Sequence, residues 1–89
     1  MPEITIYTRK LCGYCTAAKR LLTDKGLEFV ERDATFNPEL RAEMIEKSNG
    51  GWTFPQIFVG ETHVGGCTEL YEAERRGDLD RLLEETRPQ

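Results

Sequence analysis

The sequence predicts a small α/β protein in which a four-stranded mixed sheet is flanked by helices on both faces. Short β-branched and aromatic runs alternate with helical segments in the order β-α-β-α-β-β-α-α. The length of 89 residues suits a single domain, residues 1–89, near the lower limit for a stable core. The first β-α-β unit should form a parallel crossover, and the last two strands an antiparallel hairpin.

The first strand and the first helix are predicted from residue types and spacing. "EITIYT" (3–8) is a β-branched and aromatic run typical of a strand. A helix is expected from about Cys12 to Lys25, with Gly26 ending it as a C-cap. Helical spacing places four apolar residues on one side: Cys15, Ala18, Leu21 and Leu22.

The second strand and the second helix follow the same pattern. "LEFVERD" (27–33) predicts a strand. Asn37 and Pro38 then supply an N-cap and a first-turn proline, so a helix should begin there and run to about Lys47. Its inward-facing residues should be Leu40, Met44 and Ile45.

The second half predicts a hairpin and two helices. "FPQIFV" (54–59) and "THVGG" (62–66) read as strands joined by a tight turn at Gly60 and Glu61. Two helices should follow, one from about Thr68 to Arg76 and one over "LDRLLEET" (79–86), with Asp78 as its cap.

Composition and charge restrict the partners. The hydrophobic content of 38% and charged content of 31% are ordinary for a globular protein. A net charge of −4 argues against a nucleic acid or an acidic membrane surface as partner. Residues 1–30 nevertheless carry five Lys or Arg against three Asp or Glu, which suits a small anionic ligand. No apolar run approaches membrane-spanning length and no signal-peptide pattern is present, so we expect a cytoplasmic protein.

Three cysteines are the chain's most reactive side chains. Two of them, Cys12 and Cys15, lie in "KLCGYCTAAKRLL". A structural disulfide is disfavoured because three cysteines cannot all pair within one chain and a reducing compartment would open it. Zinc is disfavoured because only Cys67 and His63 remain as further ligands, and they form no second close pair.

The position of Cys12 predicts a redox function. It falls where the first strand gives way to a helix, and the unpaired N–H groups and dipole there favour a thiolate. Arg9 and Lys10 add positive charge. Cys15 follows one turn later and should point further into the helix, which predicts an exposed nucleophile and a resolving thiol. A C-x-x-C pair in a β-α-β unit is typical of thioredoxin-type redox motifs.

The whole chain resembles a small bacterial-type dithiol glutaredoxin. The likeness lies in "IYTRKLCGYC" (6–15), "TFPQIFVGETHVGGC" (53–67) and "TELYEAERRGDLDRLL" (68–83). It implies a thioredoxin fold, glutathione as co-substrate, Cys12 as nucleophile and a cis Pro55 facing the cysteine pair. It also implies thiol–disulfide exchange with glutathionylated or disulfide-containing proteins.

Glutathione carries two carboxylates, and the sequence offers a place for each. Gly66 precedes a helix whose first N–H groups could hold one carboxylate. Arg9, where the family usually has lysine, and Lys10 could hold the other, with Arg41 as a weaker candidate. Together with the Phe54 backbone and the Tyr14 ring, the expected glutathione-binding residues are Arg9, Lys10, Tyr14, Phe54, Pro55, Gly66, Cys67 and Thr68.

Gly13 keeps a second function open. Many relatives have proline at this position, whereas some with glycine or serine hold a [2Fe–2S] cluster between two subunits. The sequence therefore allows a metal-free monomeric reductase, or a homodimer in which Cys12 is a cluster ligand beside glutathione. It also allows a redoxin reduced by a thioredoxin reductase, and a binding module without turnover. Trp52 is expected to pack in its loop, or to contact a partner or glutathione at the rim of the groove.

Overall fold

The computed structural model describes residues 2–85 of the chain. Its element order is the predicted one, β-α-β-α-β-β-α-α. None of the helices described in this range is long and apolar enough to cross a membrane. The elements are β1 (Ile4–Thr8), α1 (Gly13–Asp24), β2 (Val30–Asp33), α2 (Pro38–Lys47), β3 (Gln56–Val59), β4 (Thr62–Gly65), α3 (Cys67–Arg76) and α4 (Asp78–Glu85).

The four strands form one mixed sheet in the order β2-β1-β3-β4. β1 runs parallel to β2 and antiparallel to β3, which pairs with β4 in an antiparallel hairpin. Because β1 and β3 are antiparallel, Tyr7 near the end of β1 lies opposite Gln56 at the start of β3. The loop that follows β1 is therefore next to the segment that precedes β3.

Hydrophobic residues cover both faces of this sheet. Ile6 and Ile57 face the larger core, to which α1, α3 and α4 contribute buried side chains. Tyr7 and Phe58 face the opposite side, where Met44 of α2 is buried and Leu40 and Ile45 are partly buried. The predicted helix faces are confirmed: Cys15, Ala18 and Leu22 are buried, and Leu21 packs at the edge of the larger core.

All four strands are shorter than predicted, β1 and β4 by one residue each and β2 and β3 by more. β2 begins at Val30 rather than at residue 27, because Leu27 and Phe29 pack against the larger core instead of extending the ladder. The Leu27 amide donates instead to the Leu22 carbonyl at 3.0 Å. β3 begins at Gln56, so the prolyl residue before it precedes the strand rather than opening it.

The helix ends follow the sequence signals closely. The Asn37 side chain accepts the Leu40 amide at 3.0 Å, which confirms the predicted N-cap of α2. α1 ends one residue earlier than predicted, with Lys25 as C-cap and Gly26 following at φ +73°. α3 begins at Cys67, one residue before the prediction, and Thr86 of the last predicted helix lies outside the described residues.

Candidate functional site

Cys12 is the N-cap of α1. Its backbone is extended, at φ −121° and ψ 105°, and its Sγ accepts a hydrogen bond from the Cys15 amide at 3.2 Å. Ser, Thr, Asp and Asn are the usual acceptors at this position, so here the sulfur takes a role that suits an anion. The first turn of the helix thus places a backbone donor against the Cys12 sulfur.

The sulfur of Cys12 lies against the segment before β3. Cys12 is only 8% exposed and its Sγ is 3.9 Å from the Phe54 carbonyl oxygen. The expectation of an exposed nucleophile is therefore wrong. Cys15 is buried more deeply still, at 2% exposed, so the order of the two cysteines is as predicted. Cys12 is covered because its side chain folds back over the first helical turn and meets the loop that ends at Pro55.

Burial of Cys15 changes its acidity. Desolvation, followed by its hydrogen bond with Cys12, raises the pKa of the Cys15 thiol to about 12. Cys15 is therefore a protonated thiol at neutral pH.

The peptide bond between Phe54 and Pro55 is cis, as expected from the resemblance. The carbonyl of Pro55 lies close to Gly66 at the start of α3. A Cβ added to Gly66 would lie 3.3 Å from the Pro55 carbonyl oxygen, so a glycine at this position allows the two segments to approach closely.

A groove of about 210 Å³ opens beside the cysteine pair. It runs between the first turn of α1, the segment before β3 and the start of α3. The residues that line the groove are Tyr14, Thr53, Phe54, Pro55, Gly66, Cys67, Thr68 and Glu69. All of them except Thr53 and Glu69 are residues expected to bind glutathione, so the fold brings six of the expected residues together.

The start of α3 already holds one carboxylate. The Glu69 side chain accepts the Gly66 amide at 2.8 Å, as in a capping box. An external carboxylate at this helix end would therefore use the amides of Cys67 and Thr68. Glu69 is a groove residue that the sequence interpretation misses, although its position three residues after Gly66 is a recognisable signal.

The sulfur of Cys67 is buried. Cys67 is 9% exposed, and desolvation, with additional contributions from Cys12 and Glu69, raises the pKa of its thiol. Cys67 lines the groove, and its raised pKa keeps its thiol neutral at neutral pH.

Two arginines flank Phe54. The guanidinium carbons of Arg9 and Arg41 each lie 5.9 Å from the centre of the Phe54 ring. The sequence ranked Arg41 as the weaker candidate, yet the structure places it at the same ring as Arg9. No local pattern could have revealed this, because the approach of α2 to the segment before β3 is a tertiary contact.

Lys10 lies on the other side of the cysteine pair. It lines a second depression together with Arg9, Leu11 and Cys12. Its backbone amide donates to the Thr35 hydroxyl at 2.7 Å, which ties the loop after β1 to the turn before α2.

Large apolar side chains stand in solvent around the site. Trp52 is 65% exposed, so packing within its loop is not its role. Tyr14 is 68% exposed and forms the outer wall of the groove with its ring. Leu11 is fully exposed and has a left-handed backbone at φ +55°.

The described residues do not form a metal site of their own. Residues 2–85 contain no group of three or more His, Cys, Asp or Glu side chains placed to hold a metal ion. Any metal centre at Cys12 would therefore need ligands from other molecules.

Comparison with known proteins identifies the relatives of this chain. The sequence profile of the family described as "Glutaredoxin" matches residues 4–64. A protein of Pseudomonas aeruginosa named "Glutaredoxin" is 53% identical over 83 residues, covering 93% of this chain and 98% of that protein. "Glutaredoxin 3" of Escherichia coli K12 is 47% identical over 83 residues, covering 93% and 99%.

Solved structures agree with this result. The solution structure of glutaredoxin from Brucella melitensis is 54% identical and has a TM-score of 0.83, covering 100% of this chain and 96% of that one. The thioredoxin fold expected from the sequence is thereby confirmed.

Two further solved structures concern ligands. The crystal structure of a buckwheat glutaredoxin–glutathione complex is 27% identical, with a TM-score of 0.76 and coverage of 94% of this chain and 78% of that one. A structure described as "Metal Binding of Glutaredoxins" is 58% identical, with a TM-score of 0.70 and coverage of 93% and 89%.

Proposed function

The chain belongs to the glutaredoxin family and is a thiol–disulfide oxidoreductase, and from this premise we propose that it uses glutathione to reduce protein–glutathione mixed disulfides and protein disulfides. Cys12 is the proposed nucleophile and Cys15 the proposed resolving thiol. The proposed partners are glutathione and glutathionylated or disulfide-containing proteins of a reducing cytoplasm.

One observation carries the proposal. The Cys12 sulfur accepts the Cys15 amide at 3.2 Å at the start of α1, and it also faces the Phe54 carbonyl across 3.9 Å. The first contact favours a thiolate, which is the attacking species in disulfide exchange. In the second contact the Cys12 thiol donates to the Phe54 carbonyl oxygen, which places the sulfur beside the backbone segment along which an extended peptide would lie.

The proposed reaction with a mixed disulfide is a two-step exchange. The Cys12 thiolate attacks the glutathionyl sulfur, so a Cys12–glutathione disulfide forms while the bond to the protein sulfur breaks. The protein leaves as a thiolate and takes up a proton. The thiolate of a second glutathione then attacks the glutathionyl sulfur held by Cys12. Glutathione disulfide leaves, and Cys12 is again a thiolate.

Protein disulfides require both cysteines. Cys12 attacks one sulfur of the disulfide and releases the other as a thiol. Cys15, after losing its proton, then attacks Cys12 and releases the second protein thiol, which leaves a Cys12–Cys15 disulfide. Two glutathione molecules reduce that bond and become glutathione disulfide. Burial raises the pKa of the Cys15 thiol, so Cys15 must lose its proton before it can attack.

The groove supplies matching groups for bound glutathione. The cysteinyl unit would lie along the Phe54 backbone, with its sulfur next to Cys12. The γ-glutamyl carboxylate would meet the amides of Cys67 and Thr68 at the start of α3. The glycyl carboxylate would lie toward Arg9 and Arg41, whose guanidinium groups both contact the Phe54 ring.

A coupled assay tests the proposal. Reduction of a glutathionylated protein is followed with glutathione and glutathione reductase in one arm and with thioredoxin and thioredoxin reductase in the other. Turnover in the glutathione arm is expected. Turnover only in the thioredoxin arm would favour a redoxin of another reductant class, and no turnover in either arm would favour a binding module.

A second function is favoured by Gly13. A Cβ added there would meet no atom of the described structure within 4 Å, so the first turn of α1 has open space next to Cys12. Since residues 2–85 offer no three-ligand metal site, Cys12 is the residue that would hold a shared [2Fe–2S] cluster. The other ligands would be Cys12 of a second copy and two glutathione thiolates. The bound cluster would supply electron-transfer chemistry, and the protein would then be a homodimer rather than a monomer.

A further inference from the structure

Buried polar side chains hold the loop that leads to Pro55. Within residues 2–85, the polar side chains that are buried belong to Thr8, Ser48 and Gln56, which are 1%, 5% and 4% exposed. Two of these three contact residues 48–53. Because a buried polar group without a partner is costly, such contacts fix the backbone they reach.

Ser48 fixes the first part of this loop. Its hydroxyl lies 2.7 Å from the Met44 carbonyl oxygen and 2.9 Å from the Gly51 carbonyl oxygen, so it can donate to either. A Cβ on Gly51 would lie 2.6 Å from the Ser48 Oγ and 3.1 Å from the Gln56 Nε2. The loop is therefore packed tightly between the two buried side chains.

Gln56 fixes the second part. Its Nε2 donates to the Thr53 carbonyl oxygen at 2.9 Å and lies 3.2 Å from the Thr53 hydroxyl. The opposite orientation of the amide would place two acceptors against each other at the carbonyl, so the Oε1 must point away from Thr53.

His63, an exposed residue of β4, contacts the other end of the Gln56 amide. Thr53, Gln56 and His63 therefore form one hydrogen-bond network. Its Nε2 lies 2.6 Å from the Gln56 Oε1. Since the Gln56 Oε1 can only accept, the His63 Nε2 carries the proton and donates. The imidazole also stacks on Phe58, with ring centres 4.9 Å apart and planes inclined by 33°.

We infer that His63 and Gln56 are positioning residues for the glutathione groove. Through the Thr53 carbonyl they fix the backbone of Phe54, the segment that lies 3.9 Å from the Cys12 sulfur. Thr53 and Phe54 line the groove, whereas Gln56 and His63 support it from behind. The inference rests on the proposed use of glutathione, because it assigns these residues to the binding of that substrate.

The inference predicts a specific kinetic signature. Without the His63 donor, the buried Gln56 Oε1 loses its hydrogen-bond partner, so the Gln56 side chain and, through the Thr53 carbonyl, the Phe54 backbone are held less firmly. Binding of the glutathionyl group should weaken, while the Cys12 sulfur and its helix are untouched. KM for a glutathionylated peptide should therefore rise about three- to tenfold, the usual range for one lost neutral hydrogen bond, while kcat stays within about twofold.

Three variants test it. His63→Phe keeps an aromatic ring against Phe58 and removes the donor. His63→Gln restores a donor on a side chain of similar reach. Thr62→Phe introduces the same aromatic residue at the neighbouring exposed position of β4 and is the matched control. Each is assayed for KM and kcat with a glutathionylated peptide, and amide hydrogen exchange is measured over residues 49–54.

The outcomes separate this inference from the proposed function. Faster exchange and a raised KM in His63→Phe, with values near wild type in His63→Gln and Thr62→Phe, are expected. A wild-type KM in His63→Phe, or the same rise in Thr62→Phe, would overturn the inference. If the wild-type protein itself shows no turnover with glutathione, the proposed function is wrong. In that case, unchanged amide hydrogen exchange over residues 49–54 in His63→Phe would also reject the role of His63 and Gln56 in holding this loop. Faster exchange would show that they hold the loop even though glutathione is not the substrate.

Discussion

The backbone amide of Cys15 donates a hydrogen bond to the Sγ of Cys12 across 3.2 Å. The residue that is proposed to resolve the reaction thus also stabilises the sulfur that begins it. Because the bond comes from the main chain, it persists when the Cys15 side chain is changed, and the contributions of the two cysteines can be tested separately.

Alkylation should distinguish the three cysteines. At about pH 7 iodoacetamide should label Cys12 first, because its sulfur lies at the start of α1 and accepts the Cys15 amide there. Cys15 and Cys67 should lag, since burial raises the pKa of both thiols, that of Cys15 to about 12. Peptide mapping gives the order, and the denatured protein, in which all three should react alike, is the control. Labelling of Cys15 ahead of Cys12 would reverse the assigned roles.

Serine substitutions should separate the two proposed reactions. Cys15→Ser should keep glutathione-dependent deglutathionylation and lose the reduction of protein disulfides that needs both thiols. Cys12→Ser should lose both activities. Cys67→Ser controls for loss of a buried thiol and should retain both. The two substrates are assayed in parallel, and loss of deglutathionylation in a folded Cys15→Ser protein would contradict the proposed single-cysteine cycle.

Charge reversal should identify the site of the glycyl carboxylate. Arg9→Glu and Arg41→Glu should each raise KM for a glutathionylated substrate by roughly ten- to a hundredfold, the equivalent of one lost charged hydrogen bond of about 1.5–3 kcal/mol. Arg20→Glu makes the same charge change at an exposed position of α1 and should have a much smaller effect. Equal kinetics in all three variants would place the carboxylate elsewhere.

Reconstitution should decide whether Gly13 permits a cluster. With iron, sulfide and glutathione, the protein should become coloured and dimeric, and turnover should stop because Cys12 is occupied. Gly13→Pro should remain colourless and active, since proline is tolerated at the first helical position and Cys12 has the extended backbone that precedes proline. Absorption spectra and size-exclusion chromatography report the result. A wild-type protein that stays colourless and monomeric would exclude the cluster under these conditions.

The hydrogen bond between Thr8 and Glu31 should stabilise the fold less at acid pH than at neutral pH. This hydroxyl donates to the Glu31 carboxylate at 2.7 Å and, with Lys19, lowers the pKa of Glu31. A lowered pKa in the folded state means that the stabilisation is present above the usual pKa of glutamate and is lost as the pH falls through the folded value. Thr8→Val should therefore lower the free energy of unfolding by about 1 kcal/mol at neutral pH and by much less at about pH 2.5.

Urea unfolding of four proteins makes that comparison. Wild type, Thr8→Val, Glu31→Gln and the double variant form a cycle that isolates the interaction between the two side chains. An interaction energy that does not change between neutral and acid pH would contradict the assigned charged hydrogen bond.

Much of the fold could be predicted because its signals are local. Asn37 followed by Pro38 marks a helix start in any context, and the hairpin turn at Gly60 is equally explicit. The site followed from the same logic, since a cysteine at a strand–helix junction must meet free amides. The strand starts were less predictable. Residues 27 to 29 have strand-like composition, but a strand also needs a neighbouring strand to pair with, and here Leu27 and Phe29 pack against the larger core instead.

The remaining errors involve contacts between distant segments. Cys12 is covered because the Phe54 carbonyl lies against it, and Arg41 reaches the site because α2 packs on that side. Neither contact leaves a pattern in the sequence. His63 meets Gln56 across a hairpin whose register shifts between Ile57 and Phe58, so simple alternation along the strands does not give their pairing.

The central position of β1 in the sheet affects when the protein can fold during its synthesis. Of the four described strands, β1 is synthesised before the others, but it lies between β2 and β3, and Ile4 pairs with Val59. A nascent chain that ends after α2 has one edge of β1 unpaired, and Ile6 lacks Ile57 beside it. We therefore expect the emerging protein to have no stable tertiary structure until β3 has been synthesised. Cys12 would until then be an unshielded thiol, and its chemistry would be acquired only when the second half of the sheet closes over it.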